Sequence, residues 1–408
     1  METPSDRLHA ACLWLESEQA AITDQLIQWA EIASGSHDTR GLQRMADRLR
    51  SDWQQHGLTL QPTPVTEIQE IDAYGELVSW KTVDALVASR RPDASRRVLL
   101  AIHFDTVYEA DSVFKQCRWL DSHRLGGPGV VDAKGGLLVM MWALAAIERF
   151  QLAEEIGWTA VLNPDEEIGS PASAGLFQQL AVAHDFGLLF EPCLPDGAMV
   201  SDRKGSGNFT VIVRGRSAHA GRDPESGRNA IVLLAKLIGE IDRLNDFQLG
   251  TTVNVGRIEG GGPLNRVPDL AIGRLNVRVD DRAAQSQFES QLRRIVERAN
   301  SNEGFSVALH GGFHAPPKIV DASTWAIQRA VEASIATTDP AIRWQPTGGA
   351  CDGSKLAFYG LPNVDTLGPR GGNLHSPEEW VDTATLVPKA TSIVRLLTAY
   401  ARGGESIG

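Results

Sequence analysis

At 408 residues the chain exceeds what one hydrophobic core usually organises, so two domains are the first expectation. Its composition, 42% hydrophobic and 22% charged, is that of an average soluble protein, and no apolar run is long enough to span a bilayer. A net charge of −12 argues against sequence-independent nucleic-acid binding, which needs basic patches to displace counterions, while leaving room for a local basic pocket.

The first residues, Met1 to Asp6, lack the basic start and apolar core of a secretory signal, so the expected compartment is cytoplasmic. Apolar residues recur at helical spacing over 8–33, and a second helix is expected over 41–56. The arginine-rich run at 90–97 reads as a solvated loop. Strand-like apolar runs follow at 98–102, 159–162 and 187–190, with a long apolar helix over 135–150 between the first two. That alternation is the pattern of an α/β fold with a parallel or mixed sheet, in which ligands sit beyond the carboxyl ends of strands.

After Lys204 the texture changes. A strand over 209–213, a helix over 228–244, strands over 251–258 and 271–279, a helix over 283–299 and a strand over 306–309 give the order β-α-β-β-α-β of a small ferredoxin-like sandwich. Along the third of these strands Ala271, Gly273, Leu275, Val277 and Val279 share one face. Helices and strands return from about Thr324, ending in a helix over 383–401. The expected division is a main domain from 1–204 and 319–408, interrupted by an inserted lid domain at 205–318, with hinges near Lys204 and Pro317 that let the domains close on substrate.

Cys12, Cys117, Cys193 and Cys351 are scattered and form no C-x-x-C pair, so a metal would have to be held by histidines and carboxylates. Five segments offer them. His103 and Asp105, two apart at the end of an apolar strand, face one side, so the carboxylate can orient the imidazole as it does beside zinc; alone, the pair reads first as a structural hydrogen bond. Asp132 follows a glycine-rich turn, 127–136, that matches neither G-x-G-x-x-G nor a Walker loop; alone, it reads first as a helix cap. Asp165, Glu166 and Glu167 lie beyond the next strand, where one acid can coordinate metal while its neighbour takes a proton from water; alone, such a run is solvated charge. Glu191 ends the following strand in the same way, and His375 lies in a loop, 371–379, before the last helical region. Four of the five sit at one expected sheet edge, and two histidines with three carboxylates suit borderline zinc better than calcium or magnesium.

With these motifs in this order, the chain resembles, over essentially its whole length, the co-catalytic zinc family of glutamate carboxypeptidase, acetylornithine deacetylase, succinyl-diaminopimelate desuccinylase and aminoacylase. The resemblance implies two zinc ions per chain, with cobalt or manganese as substitutes: His103 and Glu191 on one, Glu167 and His375 on the other, Asp132 between them. It implies Glu166 as general base and Asp105 as the orienter of His103. The second segment also matches in order, through Arg203-Lys204-Gly205, Gly215 to Gly221, Asn265-Arg266-Val267-Pro268 and Asn276-Val277-Arg278. There the resemblance implies that His219 reaches the partner site of a homodimer to stabilise the oxyanion, and that Arg278 and Asn265 grip the substrate carboxylate, an internal salt bridge or sheet-edge hydrogen bond being their other reading.

The chain departs from the family at Cys351, where Ser is usual, at Ala133, where Met is common, and at Asn276, where Asp is frequent. None removes a ligand or the base. Glu191, where some family peptidases carry Asp, leans toward the carboxypeptidase and deacylase branches. The expected reaction is hydrolysis of an amide beside a free carboxylate, releasing a C-terminal amino acid such as glutamate from a peptide or N-acyl conjugate, with removal of an acetyl or succinyl group as the alternative. A metal-binding scaffold without turnover is the competing class. No G-x-S-x-G elbow or H-E-x-x-H helix supports another hydrolase.

Overall fold

The computed structural model describes residues 3–335 and 342–403; residues 336–341 and the outermost ends of the expected main domain lie outside the described residues. Helices α1 (Pro4–Ser17), α2 (Gln19–Ala30) and α3 (Thr39–Gln55) come first. The single helix expected over 8–33 is two, for a local reason. The Ser17 hydroxyl donates to the Trp14 carbonyl at 2.7 Å, and the Glu18 N–H is shared between the Trp14 and Leu15 carbonyls, so the ladder tightens and stops. Asp38 caps α3 by accepting from the Gly41 N–H at 2.9 Å, and Leu42, Met45, Leu49 and Trp53 bury one face in the main core.

The main sheet contains β1 (Gln61–Thr63), β2 (Ala85–Arg90), β3 (Arg97–His103), β4 (Gly157–Asn163), β5 (Phe186–Leu189) and a short last strand, Asn363–Val364. Its order is β1-β2-β4-β3-β5 followed by Asn363–Val364; β3, β4, β5 and the last strand run parallel, β2 runs antiparallel to β4, and β1 at the edge runs antiparallel to β2. The sheet is therefore mixed. Helix α4 (Lys134–Arg149) buries 14 of its 16 residues, which only a helix covered on all sides can do; it packs between the sheet and α1, α2 and the long carboxyl-terminal helix Leu386–Ala401. Because β3, β4 and β5 are parallel, His103 at the end of β3, Glu166 and Glu167 three and four residues beyond β4, and Glu191 two beyond β5 arrive at one edge.

A second sheet follows from β6 (Gly205–Arg214), α5 (Ala230–Asp242), β7 (Thr252–Gly260), β8 (Leu270–Val279), α6 (Arg282–Asn300) and β9 (Ser306–Ala315). The spatial order β7-β8-β6-β9, antiparallel throughout, is the ferredoxin-like arrangement, with its own core around Phe209, Val211, Leu234, Val277, Phe288 and Leu292. Strand β9 runs six residues past the expected end at Leu309, through Gly311 at φ 92°. Near its end Ser206 pairs with Ala315 but Gly207 with Phe313, leaving His314 as the extra residue of a β-bulge.

The chain enters and leaves this second sheet through one clamp. Arg203 and Lys318 exchange backbone hydrogen bonds at 2.9 and 3.0 Å, and both side chains meet the fully buried Asp365. The Arg203 guanidinium bonds both carboxylate oxygens, at 2.9 and 3.0 Å, and the Lys318 ammonium adds a bond at 2.7 Å.

Candidate metal centre

His103 is 1% exposed, and its two ring nitrogens face opposite duties. Nδ1 lies 3.0 Å from the Asp105 backbone carbonyl and 3.2 Å from the Asp105 carboxylate, while Nε2 lies 3.2 Å from Asp132 Oδ1 and 3.8 Å from Glu191 Oε2. On the other flank His375 Nε2 lies 3.2 Å from both Asp132 Oδ2 and Glu167 Oε2. Asp132 thus turns one oxygen to each triad, His103–Asp132–Glu191 and Asp132–Glu167–His375. Its bland alternative as a helix cap is not what the structure shows: the residue before α4 is Ala133, and no side chain caps that helix.

The donor set can be tested for fit to metal. Bonds of ~2.0–2.2 Å in a tetrahedral site place neighbouring donors about 3.3–3.5 Å apart, close to the separations within each triad. Glu167 Oε1 is buried with no hydrogen-bond partner among the described residues, although a carboxylate oxygen in that position needs a donor or a cation. Five carboxylates, from Asp105, Asp132, Glu166, Glu167 and Glu191, converge on two imidazoles. Burial would strip the His103 ring of its proton, yet Asp105, Asp132 and Glu191 outweigh that and hold it well above its usual range. Burial and then the Glu191 charge push Glu166 well above the usual carboxylate range, and burial with the Asp132 charge pushes Glu167 up to about 7. Without added positive charge the pocket recruits protons in its place, and the residues fit a pair of divalent cations.

Asp105 does more than face His103. Fully buried, its carboxylate accepts from the Ser36 hydroxyl at 2.7 Å and from the backbone N–H groups of Glu166 and Glu167 at 3.1 Å each, so one side chain fixes both the β3 end and the acidic turn. Asp165, the first of the three acids, turns inward and accepts from the Ala172 and Ser173 N–H groups, folding the turn rather than facing the triads. Ser170, Asn373 and His375 hold left-handed φ values of 48°, 56° and 61°, a conformation uncommon for residues other than glycine.

One supporting residue had no assigned role at the level of sequence. Glu379, four residues after His375, is buried and accepts from the N–H groups of Gly129, Val131 and Asp132 at 3.2, 3.0 and 3.1 Å and from the Tyr108 hydroxyl at 2.8 Å. It ties the turn carrying Asp132 to the loop carrying His375. We expect Glu379→Ala to weaken metal affinity about 10- to 100-fold, as losses of such supporting bonds do. Competition against a chromogenic chelator measures this, and unchanged affinity in a folded variant would remove the tie from the account.

A cavity of about 260 Å³ lies over the triads, with Glu166, Glu167 and His375 on one wall and Arg278, Asn276 and His314 of the second sheet on the other. Arg278 donates from Nε to Asn276 Oδ1 at 3.1 Å and from Nη1 to the Gly348 carbonyl at 3.3 Å, so Asn276 and the Gly348 backbone orient the guanidinium. Cys351 also lines the cavity, and its sulfur accepts the Gly353 N–H at 3.3 Å to cap the helix Asp352–Phe358. His219 and Asn265 lie elsewhere. Both are exposed on loops of the second sheet, next to each other through a bond from the Ala220 N–H to the Asn265 carbonyl, and neither lines this cavity. The residues missed were Glu379 and His314; the first stood in a motif that was read for its histidine, and the second had no motif at all.

The family model described as peptidase family M20/M25/M40 matches residues 99–399. Carboxypeptidase G2 of Pseudomonas sp. (strain RS-16) is 25% identical over 399 residues, covering 95% of this chain and 91% of that protein. A succinyl-diaminopimelate desuccinylase of Nitrosospira multiformis is 26% identical over 278 residues, covering 64% of this chain and 71% of that one. An M20 family metallo-carboxypeptidase from Sulfolobus solfataricus shares the fold with a TM-score of 0.71 at 18% identity, over 93% of this chain and 99% of that one.

Proposed function

The chain belongs to peptidase family M20/M25/M40, a metal-dependent hydrolase of the carboxypeptidase or deacylase kind, and from that premise we propose that it uses two zinc ions to hydrolyse an amide beside a free carboxylate. The observation that carries the zinc assignment is Asp132, one oxygen turned to the His103 and Glu191 triad and the other to the Glu167 and His375 triad. In this reading those five residues hold the ions, which supply Lewis acidity that acidifies water and polarises the substrate carbonyl.

The chain's own residues do the rest. Glu166, outside both triads but on the cavity wall, takes the proton of the attacking water and passes it to the leaving amine. Asp105 holds His103 and the Glu166 backbone in register. Arg278 pairs with the substrate carboxylate, for which a half-free guanidinium is suited. Residues 205–318 form the lid, and in a homodimer His219 of one copy would complete the other's site as an oxyanion donor. Asn265 contributes with His219 from the same surface. The leading substrate is a peptide or N-acyl conjugate that releases a C-terminal amino acid; an N-acyl-amino-acid deacylase shares the same chemistry, and a panel of dipeptides and acetyl- and succinyl-amino acids separates the two.

Metal removal is the direct test. Protein purified without chelator is expected to carry about two zincs per chain, to lose amide hydrolysis on chelation and to regain it when zinc is returned, read by elemental analysis beside the assay. Protein that binds no metal when zinc is supplied would overturn the assignment and leave the scaffold reading standing. Among the described residues no helix is long and apolar enough to cross a membrane.

A further inference from the structure

We propose that His314 is a specificity-determining residue of this site, contacting an acceptor-bearing side chain, carboxylate or carboxamide, on the same substrate residue whose main-chain carboxylate Arg278 takes; the assignment rests on the hydrolase reading above.

Three observations meet at this residue. First, His314 is the extra residue of the bulge in β9, placed between Phe313 and Ala315, which pair with Gly207 and Ser206. A bulge re-aims one side chain out of the strand's regular alternation, and here the re-aimed side chain lines the catalytic cavity. Second, the ring rests on the turn that carries Glu166 and Glu167: a methyl group at Gly169, itself at φ 92°, would come within 2.7 Å of His314 Cδ2. The contact fixes the imidazole against the catalytic turn, so its position in the cavity is set before substrate arrives. Third, among the described residues neither ring nitrogen has a hydrogen-bond or ion-pair partner. A structural histidine in such a place ordinarily spends at least one nitrogen on the protein.

The electrostatic setting narrows what the ring can read. Burial, then the positive charges of Lys355 and Arg278, push the His314 ring down to about 3, so it is a neutral imidazole with one donor and one acceptor. Lys355 is already committed to Asp352 at 2.9 Å, and Arg278 is turned by Asn276 and Gly348. The free N–H of His314 is therefore an uncommitted donor, suited to an oxygen acceptor. Ser206, Asn208 and Asn276 make the surrounding wall polar as well. A site of this kind rejects an apolar side chain of the same size, because binding it would leave the imidazole desolvated and unpaired.

The test uses the zinc-loaded full chain and three substrates sharing one acyl group, with glutamate, glutamine or norleucine as the released residue. The wild-type chain is expected to favour the first two by about tenfold or more in kcat/KM. In His314→Ala, KM for glutamate and glutamine conjugates rises about tenfold with kcat within about twofold, kcat/KM for norleucine rises because no imidazole is left unpaired against it, and the preference collapses. Zinc content and melting temperature stay at wild-type values, and His314→Gln, which keeps a donor and an acceptor, restores most of the preference whereas His314→Phe does not. An equal loss on all three substrates, no loss on any, or restoration by Phe as well as Gln would reduce His314 to a packing support for Gly169 and overturn the proposal. Absence of wild-type turnover on this set and on the wider peptide and acyl panel would strike the hydrolase reading itself and take the assignment of His314 with it.

Discussion

Glu166→Gln is expected to lower kcat about a thousandfold while leaving the zinc content of the chain at its wild-type value. General bases contribute roughly 10²- to 10⁴-fold, and the amide has the same shape but cannot accept a proton from water. The structure separates this residue from the ligand set in two ways. Its carboxylate belongs to neither candidate metal triad, while that of Glu167, its immediate neighbour, does. Its backbone is pinned by the Asp105 carboxylate at 3.1 Å, so the substitution should not move the turn. The measurement is kcat on the best substrate of the panel, paired with elemental analysis of the same preparation. Near-normal turnover would remove the base role, and loss of zinc together with activity would recast Glu166 as a ligand.

The convergence of His103, Glu166, Glu167 and Glu191 at one sheet edge was legible because buried parallel strands announce themselves, whereas Asp132 and His375 joined them through the order of motifs in the resemblance. The runs ending at His103, Asn163 and Leu189 are continuously apolar, as strands covered on both faces must be, and a polar residue just past each stands out. What holds those residues in place was less legible. Glu379 acts through backbone N–H groups about 250 positions away, a relation that leaves no local pattern. The strands Gln61–Thr63 and Ala85–Arg90 escaped for a different reason: the first is three residues long, and the second buries Ala85, Leu86 and Ala88 without regular alternation. Gly311 and Gly312 hid the continuation of β9, and with it the bulge that presents His314, since glycines in a strand read as its end. The roles given to His219 and Asn265 came from resemblance alone. Within one chain neither residue lines the cavity.

The largest effect on stability is expected at Asp365. Replacing it with Asn leaves the Arg203 guanidinium and the Lys318 ammonium, 8% and 2% exposed, facing each other without a counter-charge, and breaking a buried pair in this way costs about 3–5 kcal/mol. The position multiplies the consequence, since Arg203 and Lys318 are the residues by which the chain enters and leaves the second sheet and are bonded to each other through their backbones. A drop of several degrees in melting temperature should follow, together with faster proteolysis near 203–205 and 317–318. Burial alone would raise the Asp365 carboxyl, but Arg203 and Lys318 outweigh it and hold it well below the usual carboxylate range. A carboxyl depressed on folding contributes stability that is complete above its unfolded value, ~3.9, and is lost as the pH falls from there toward the folded one, so the gap between wild-type and Asp365→Asn should narrow on acidification. Removing all three charges together, as Arg203→Met, Lys318→Met and Asp365→Leu, should cost less than Asp365→Asn alone, because the penalty lies in the unpaired cations more than in the lost attraction. A single variant that melts within about a degree of wild type would mean that water or backbone carbonyls already compensate the two cations, and that the clamp does not hold the two sheets together.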